Sequence, residues 1–486
     1  MWRSRLVAIT FVNIKVAVLK GTAYMSKIIY KSVTDWLRGE ESIRIALVGS
    51  RYSGKTVFLT SLASQLLNHD EKNCPLKGWN VYDAGGTRDS GAFPDFKYAD
   101  ARRMLADGEW PNKTADCSVW RRHLKLTTCA DSRPRVKRVY MEVMDLPGER
   151  VADLSMAGSS YREWCKWFED SFGGVDGSTR NYGKYINAIK ECREYDEIIA
   201  AYRRFVADEL AIYALSVTPS IVKLDRAGNG LPECHTSDEF FACMKDRPLG
   251  FSQDLQFAPV PQSWFCTRES RNLVKKFQKG YDKYKKEIVH PIVEWLKSVN
   301  QVFYFVDILG LLARGPEVYN GELIFAKAVL NQFGQDDPNN RLIRSVSKVF
   351  SRFIKTSADG VYVVASKIDR VLPGKDQSNV ENLAKRMLSK VLESLNVDFN
   401  VYTCAAVETT HPVEGGLQGR VRDKEHRVVE CKYRVAPIPD DWPESDDWKV
   451  GNHWPETFPV FDKRGDKPPR QKTLERLVGL MLSIKA

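Results

Sequence analysis

Residues 43–67 read IRIALVGSRYSGKTVFLTSLASQLL, and this stretch decides the fold class of the chain. It opens with an apolar run, without a polar interruption from Ile45 to Val48, that is typical of a buried parallel strand. The run ends at Gly49, where residues 49–56 match the pattern G-x-x-x-x-G-K-[ST]. After Thr56, apolar residues recur at spacings of three and four, which predicts a helix. We therefore expect an α/β protein with a P-loop NTPase core, in which helices flank a mostly parallel sheet.

The chemistry of this loop predicts a bound nucleoside phosphate. Glycines let backbone N–H groups turn towards a polyphosphate, and the helix N-terminus adds a favourable dipole. We expect Lys55 to contact the β- and γ-phosphates and to assist catalysis, and the Thr56 hydroxyl to bind Mg²⁺. The predicted nucleotide contacts within the loop are Gly49, Ser53, Gly54, Lys55, Thr56 and Val57.

The composition is that of a soluble globular protein. The chain has 486 residues, of which 43% are hydrophobic and 28% charged, so we expect two or three domains, or one domain with large insertions. The net charge of +11 suits an anionic ligand, and without a long basic tract no nucleic-acid partner is expected. The 10 cysteines form no C-x-x-C pair, which predicts reduced thiols in a cytoplasmic protein.

Residues 1–40 form an N-terminal extension. Basic residues precede an apolar stretch, but Asn13 and Lys15 interrupt it, and it is too short to span a membrane. Met25 opens a fresh amphipathic segment, so we expect translation to start there. Otherwise the segment is a docking helix or, as an alternative, a helix on a membrane surface.

A second nucleotide-binding element follows the predicted strand Val136–Met144. Asp145 stands at the end of that strand and can hold Mg²⁺ through water, and the N–H of Gly148 can reach the γ-phosphate. Glu149 occupies the place where small GTPases carry the glutamine that positions water, so we predict a catalytic role. The alternative is a solvated glutamate in the first turn of a helix.

Thr114 is the predicted third ligand of the magnesium ion. It lies in an extended segment just before the predicted strand Val119–Leu126, where nucleotide switches place a threonine. On spacing alone, an ordinary loop threonine is an equal alternative. Residues 41–150 form the first part of the core in this interpretation.

Residues 151–300 are predicted to form an all-helical insertion domain between two core strands. Apolar residues recur at helical spacing in Ser159–Phe172, Tyr185–Leu215 and Lys275–Val299. This region could present a surface to a protein partner.

Residues 301–486 complete the predicted core. Apolar strands are expected at Gln301–Ile308, Gly360–Ala365 and Phe399–Cys404, with helices between them at Glu317–Phe333, Leu342–Phe353 and Asn379–Leu395. Residues 415–423 and 426–435 are predicted to form a β-hairpin or a pair of edge strands, and Thr473–Ile484 a final helix.

Two loops in this region predict guanine recognition. Ser366, Lys367 and Asp369 follow the pattern [NT]-K-x-D, with serine in place of the usual first residue. An aspartate there accepts hydrogen bonds from the ring N1–H and the 2-amino group, which adenine does not offer in that arrangement. Ala405 and Ala406 lie in a small-residue loop that can bring a backbone N–H to the guanine oxygen.

Taken together, the motifs resemble those of the YcjX family of bacterial stress-related P-loop GTPases. The resemblance rests on GSRYSGKTVFLTSL, WPNKT, DLPGE, SYREW, SKID, CAAVE and PIPDDWP, and above all on FVDILGLLARGPEVY. The last block is the most distinctive, because no general argument about nucleotide binding requires it. The resemblance implies a Ras-like core with a large helical domain, bound GDP or GTP with Mg²⁺, and Thr114 as a switch residue.

We therefore predict a slow GTP-hydrolysing switch. An arginine from the same chain could speed hydrolysis, and Arg51, Arg121, Arg122 and Arg150 are candidates. The alternatives are a P-loop enzyme that uses ATP and a nucleotide-binding scaffold without significant hydrolysis.

Overall fold

The structure is a computed structural model, and the part of the chain that it describes has several gaps. The described residues are 40–50, 52–67, 76, 78–85, 92–112, 117–129, 134–172, 180–212, 236–246, 255–296, 298–330, 360–392, 399–423, 427–444, 447–448, 454–460 and 468–483. The predicted N-terminal helix, the helix Leu342–Phe353, Thr114 and Arg51 lie outside these residues.

The strands form two sheets. They are β1 Glu41–Gly49, β2 Trp79–Asp83, β3 Ser118–Thr128, β4 Val136–Asp145, β5 Gln301–Val306, β6 Gly360–Ser366, β7 Phe399–Cys404, β8 Thr410–Val413, β9 Gly416–Arg422, β10 Val428–Tyr433 and β11 Thr457–Phe458. The main sheet has the order β2-β3-β4-β1-β5-β6-β7. Strands β4, β1, β5, β6 and β7 are parallel, whereas β3 pairs antiparallel with β4 and β2 antiparallel with β3. This mixed, mostly parallel sheet confirms the predicted α/β core.

Helices connect the strands and cover both faces of the sheet. They are α1 Lys55–Leu67, α2 Tyr98–Ala106, α3 Gly148–Val151, α4 Tyr161–Phe172, α5 Arg180–Glu191, α6 Tyr195–Ile212, α7 Ser237–Asp246, α8 Arg271–Tyr284, α9 His290–Leu296, α10 Ile308–Arg314, α11 Pro316–Leu330, α12 Lys375–Leu392 and α13 Leu474–Met481. Short 3₁₀ turns follow α3 and β6, and a π-helical turn at 285–289 joins α8 to α9. Within the described residues no helix is long and apolar enough to cross a membrane.

Strand β1 shows why the sheet is covered on both sides. Its side chains alternate between the two faces, as a period of two requires. Ile45 and Leu47 pack with α1 and α13, while Ala46 and Val48 pack into a second cluster. That second cluster also contains aromatic residues of α4, α6 and α8, so the helices between β4 and β5 pack onto one face of the sheet. The division of the chain into domains at residues 150 and 300 stays a prediction.

The structure differs from the sequence predictions, or adds detail to them, at three places. The helical pattern over Tyr185–Leu215 covers two separate helices, α5 and α6, and the Glu197 carboxylate accepts N–H bonds from Arg193 and Glu194 at the start of α6. The strand expected over Gln301–Ile308 ends at Val306, because Asp307 caps helix α10. The edge strand β2 was not predicted from the sequence, because its residues do not alternate regularly between buried and exposed positions.

The smaller sheet is built from the C-terminal part of the chain. The predicted hairpin is confirmed as β9 and β10, whose antiparallel register runs from Leu417 opposite Tyr433 to Arg422 opposite Val428. Strands β8 and β11 also pair with β9, giving four strands in all. This sheet matters for function because it reaches the edge where the parallel strands of the main sheet end.

Candidate functional site

The predicted phosphate loop connects β1 directly to α1. Gly49 has a φ angle of 148° and Gly54 one of 89°, conformations that side-chain-bearing residues rarely adopt. A Cβ atom on Gly49 would lie 2.3 Å from the backbone oxygen of Phe305 in β5. The loop therefore needs glycine at this position for its backbone angle and for its close approach to the neighbouring strand.

Lys55 lies within this loop and is 6% exposed. Its ammonium nitrogen donates to the carbonyl oxygens of Gly49 at 2.9 Å and Ser50 at 2.8 Å, and lies 3.3 Å from the hydroxyl of Ser53. Ser53 in turn donates to the Ser50 carbonyl at 2.8 Å. The loop thus holds a positive charge at the start of α1, where the helix dipole also favours an anion.

Two oxygen-bearing side chains that could hold a hard cation meet next to the phosphate loop. The Thr56 hydroxyl donates to Oδ2 of Asp145 at 2.7 Å, and Asp145 is fully buried at the end of β4. A hydroxyl and a carboxylate at the edge of a phosphate site are suited to Mg²⁺, which takes one or two protein oxygens and completes its shell with phosphate and water. Pro147 and Gly148 line the same space. The side chain of Glu149 lies outside the described part of the chain.

The predicted base-recognition residues gather at the ends of β6 and β7. Lys367 has a φ angle of 62°, and Asp369 is 6% exposed in the short turn after it. Oδ2 of Asp369 accepts the backbone N–H of Thr409 at 2.8 Å and its hydroxyl at 2.6 Å. Sequence reasoning missed Thr409, because only the fold brings it to this carboxylate.

The contacts of the loop after β7 distinguish between the two predicted base contacts, Ala405 and Ala406. The N–H of Ala405 donates to the carbonyl of Lys472 at 3.0 Å, and the N–H of Lys472 donates back to Ala405 at 2.8 Å. This bridge ties the loop to the segment that enters α13. The amide of Ala406, one residue further along, is therefore the better candidate for contact with a base.

Residues from the smaller sheet form one wall of the cavity, and the sequence did not predict this contribution. Glu456 and Thr457 face the cavity, and the Thr457 hydroxyl lies 2.8 Å from that of Thr409. The indole N–H of Trp110 donates to the carbonyl of Thr457 at 2.9 Å. Strand β11 thus connects the end of the cavity near Asp369 with the segment that precedes β3. With two residues, β11 gives no periodic signal in the sequence.

A buried acid lies behind the phosphate loop. Glu322 of α11 is 7% exposed, and its carboxylate accepts the Tyr304 hydroxyl at 2.8 Å. Burial raises the pKa of Glu322, while hydrogen bonds from Tyr304 and the side chain of Ser50 and the positive charge of Lys55 oppose that rise. The hydrogen bond between Glu322 and the Ser50 side chain thus links α11 to the loop that carries the Lys55 ammonium. The sequence held no motif that pointed to it.

Of the four arginines proposed from the sequence, the three that the structure describes do not line this space. Arg150 is 2% exposed and donates to the Tyr284 hydroxyl at 3.2 Å, within the helical region. Arg121 pairs with Asp95 at 2.6 Å on the antiparallel edge of the sheet. Neither residue, nor Arg122, lines the cavity, whereas Arg314 of α10 does.

One cavity of about 620 Å³ unites these features. It runs along the carboxyl ends of β1, β4, β5, β6 and β7, where open α/β sheets bind their ligands. The residues predicted from the sequence that line it are Gly54, Lys55, Thr56, Val57, Asp145, Gly148, Ser366, Lys367, Asp369, Ala405 and Ala406. Its volume lies within the range of sites for nucleotide-sized ligands.

The chain is similar to known proteins over much of its length. The chain is similar to a Ras-like GTPase YcjX of Shewanella oneidensis, with 24% identity over 390 residues, which are 72% of this chain and 73% of that protein. It is also similar to a Ras-like GTPase YcjX of Escherichia coli K12, with 30% identity over 151 residues, which are 28% of this chain and 32% of that protein. The pattern of the YcjX-like family, DUF463, matches residues 43–205 and 246–483. The chain therefore belongs to the YcjX-like family.

Proposed function

We propose that this protein is a GTPase that binds GTP or GDP with Mg²⁺ and hydrolyses GTP as a slow regulatory switch. The observation that carries the proposal is the single cavity lined by Lys55 and Thr56 at one end and by Asp369 at the other. In this proposal, phosphate chemistry and base recognition share one ligand site. The names of both relatives, Ras-like GTPase YcjX, support the same activity.

Each residue at the phosphate end has a distinct role in this proposal. Lys55 exchanges its carbonyl partners for the β- and γ-phosphates when the nucleotide enters. Mg²⁺, when held by Thr56, Asp145 and Thr114, supplies positive charge that offsets the charge of the phosphates. The N–H of Gly148 contacts the γ-phosphate, and Glu149 orients the water that attacks it. Attack breaks the bond between the γ-phosphorus and the bridging oxygen and leaves GDP and phosphate.

Asp369 supplies base selectivity in this proposal. A carboxylate has about four acceptor positions, and Thr409 uses two of them. The remaining positions can accept the N1–H and 2-amino group of guanine, whereas adenine lacks this donor pair. The stem of Lys367 packs along the base, as expected for an amphipathic side chain.

The direct test is release of phosphate from GTP by the purified protein and by Lys55→Ala and Asp145→Ala. We expect turnover in the wild type and its loss in both variants. A wild-type rate equal to that of buffer would favour a non-hydrolysing scaffold. Equal turnover of ATP and GTP would favour an enzyme that uses ATP.

The cellular setting belongs to the same proposal. We infer a cytoplasmic location because GTP is supplied there, and a role in bacterial stress response on the family resemblance alone. The helical region between β4 and β5 is the proposed surface for a protein partner. A strain without this protein should lose viability under stress but grow normally otherwise, and equal survival under stress would contradict that role.

A further inference from the structure

The block FVDILGLLARGPEVY has a structural reason that nucleotide-binding motifs alone do not provide. Its aspartate, Asp307, follows the last residue of β5. In the sheet, β5 lies between β1 and β6, with Phe305 beside Gly49 and Val306 beside Ala365. Asp307 is therefore located between the phosphate loop and the base-recognition turn, and it lines the cavity.

Each oxygen of the Asp307 carboxylate accepts a hydrogen bond from a described residue. Oδ1 accepts the backbone N–H of Gly310 at 2.9 Å, which caps helix α10. Oδ2 accepts the ammonium of Lys367 at 2.5 Å. The Asp307 side chain is 9% exposed and that of Lys367 is 30% exposed, so this ion pair lies largely inside the protein.

Gly310 provides the space for this arrangement. A Cβ atom at residue 310 would lie 2.7 Å from Oδ2 and 2.9 Å from Cγ of Asp307. Glycine inside a helix usually costs about 1 kcal/mol relative to alanine, so its presence here needs a reason. The reason is that any larger residue would push the carboxylate away from Lys367.

We propose that Asp307 is a positioning residue that holds the Lys367 side chain against the wall of the cavity at its base end. This inference rests on the proposed function, because it assigns to Lys367 a contact with a guanine base. Held by Asp307, the lysine stem is already in place when the nucleotide arrives, which reduces the ordering cost of binding. Without Asp307, the ammonium would compete for other acceptors and the stem would leave the wall.

The test is a double-mutant cycle on GDP affinity with Asp307→Asn, Lys367→Met and the double variant. Asparagine keeps the cap acceptor for Gly310 and removes the charge that holds Lys367. We expect Asp307→Asn to weaken GDP binding about tenfold in the wild-type background, as loss of one charge-assisted hydrogen bond predicts. In the Lys367→Met background the same change should cost less than about twofold, because coupled residues are not additive. Equal losses in both backgrounds, or no loss in either, would overturn the proposal.

Gly310→Ala separates positioning from mere stability. The contacting atoms are at the far end of the Asp307 side chain, so the carboxylate can rotate without a shift of the backbone. We expect a melting temperature that is lowered no more than in Asp307→Asn, because alanine favours the helix and the charge is kept, together with weaker GDP binding. Unchanged GDP affinity in a folded Gly310→Ala protein would contradict the role of Asp307.

Chemical labelling of Lys367 tests the ion pair in the absence of nucleotide, and therefore independently of GDP binding. The ion pair suppresses reaction of the Lys367 amine with an acylating reagent, so mass spectrometry should find several-fold faster labelling in Asp307→Asn than in the wild type. If Asp307→Asn does not fold, Asp307→Ser keeps a cap acceptor and serves in its place. Equal labelling would overturn the positioning role. Absence of GDP binding in the wild type would instead overturn the proposed function.

Discussion

The two ends of the cavity are assembled in different ways. At the phosphate end, the Lys55 ammonium is held by Gly49 and Ser50, which precede it by 6 and 5 residues. At the base end, Asp369 depends on Thr409, 40 residues later, and Lys367 on Asp307, 60 residues earlier. A local motif thus forms the phosphate end, whereas the base end forms only when distant strands pair in their correct order. We expect phosphate affinity to be robust and base selectivity to depend on distant contacts.

The largest effect should follow from Lys55→Ala. Removal of the ammonium leaves the phosphate loop without its charged donor, and charged hydrogen bonds to phosphate are the strong ones. We expect GDP and GTP affinity to fall by about a hundredfold or more. Lys190→Ala, on the exposed face of α5, is the matched control and should bind as the wild type does. Equal loss of affinity in the two variants would contradict a local phosphate site.

Asp369→Asn should change the preferred base rather than abolish binding. Xanthine has a carbonyl where guanine has its 2-amino group, and an asparagine amide can donate to it. We expect GDP affinity to fall by about two orders of magnitude, and xanthosine diphosphate to become the better ligand. Competition binding with both diphosphates measures this change. The matched control is Asp100→Asn, exposed on α2, which should keep the preference for guanine. If Asp369→Asn weakens binding of guanine and xanthine nucleotides equally, Asp369 does not select the base.

The stability contributed by Asp307 should depend on pH. Burial alone would raise the pKa of Asp307, but the charges of Lys367 and Arg370, with hydrogen bonds from Lys367 and Gly310, lower it to about 2. A carboxyl group with a lowered folded-state pKa stabilises the protein above its unfolded-state pKa, near 3.8, and loses that contribution as the pH falls to about 2. Asp307→Asn should therefore reduce the free energy of unfolding by about 2 kcal/mol at pH 6.

Denaturant titrations of wild type and Asp307→Asn at several pH values measure this difference. The gap should narrow steadily as the pH falls below about 4. A gap that stays constant from pH 6 to pH 3 would show that the charge of Asp307 contributes nothing, and the base end would then need no ion pair.

The smallest of these effects should come from Thr409. Thr409→Val removes the hydroxyl that donates to Asp369 but keeps the backbone N–H. We expect GDP affinity to fall about tenfold and preference for guanosine over inosine diphosphate to weaken. Thr409→Ser restores the hydroxyl and should restore both. If valine and serine behave alike, Asp369 does not need its distant partner, and the contrast between the two ends of the cavity becomes weaker.

The difference between the two ends of the cavity also explains which parts of the site were predictable from the sequence. Gly49 to Thr56 form a contiguous motif, so their arrangement was predictable from local pattern and helix geometry alone. The strands that carry Asp145 and Asp369 were also predictable, because buried parallel strands are continuous apolar runs. The roles of Thr114 and Glu149 stay predictions, since Thr114 and the side chain of Glu149 lie outside the described residues.

The remaining features depend on register and packing, which one sequence does not encode locally. Thr457 and Glu322 meet the site only because β11 and α11 pack where they do. Arg150 was a plausible catalytic arginine by its proximity to Gly148, yet the fold buries it against Tyr284. Asp307 did leave a signal, as an acidic residue at the end of a buried strand followed by glycine three residues later.

We propose that one cavity binds a guanine base at the end near Asp369 and a phosphate chain at the end near Lys55. Calorimetric titration of the wild-type protein with GDP and with ADP, each with Mg²⁺, tests this proposal most directly. We expect GDP to bind at least about a hundredfold tighter than ADP, because adenine lacks the N1–H and 2-amino donors that Asp369 can accept. Equal affinity for the two diphosphates, or binding of neither, would contradict it.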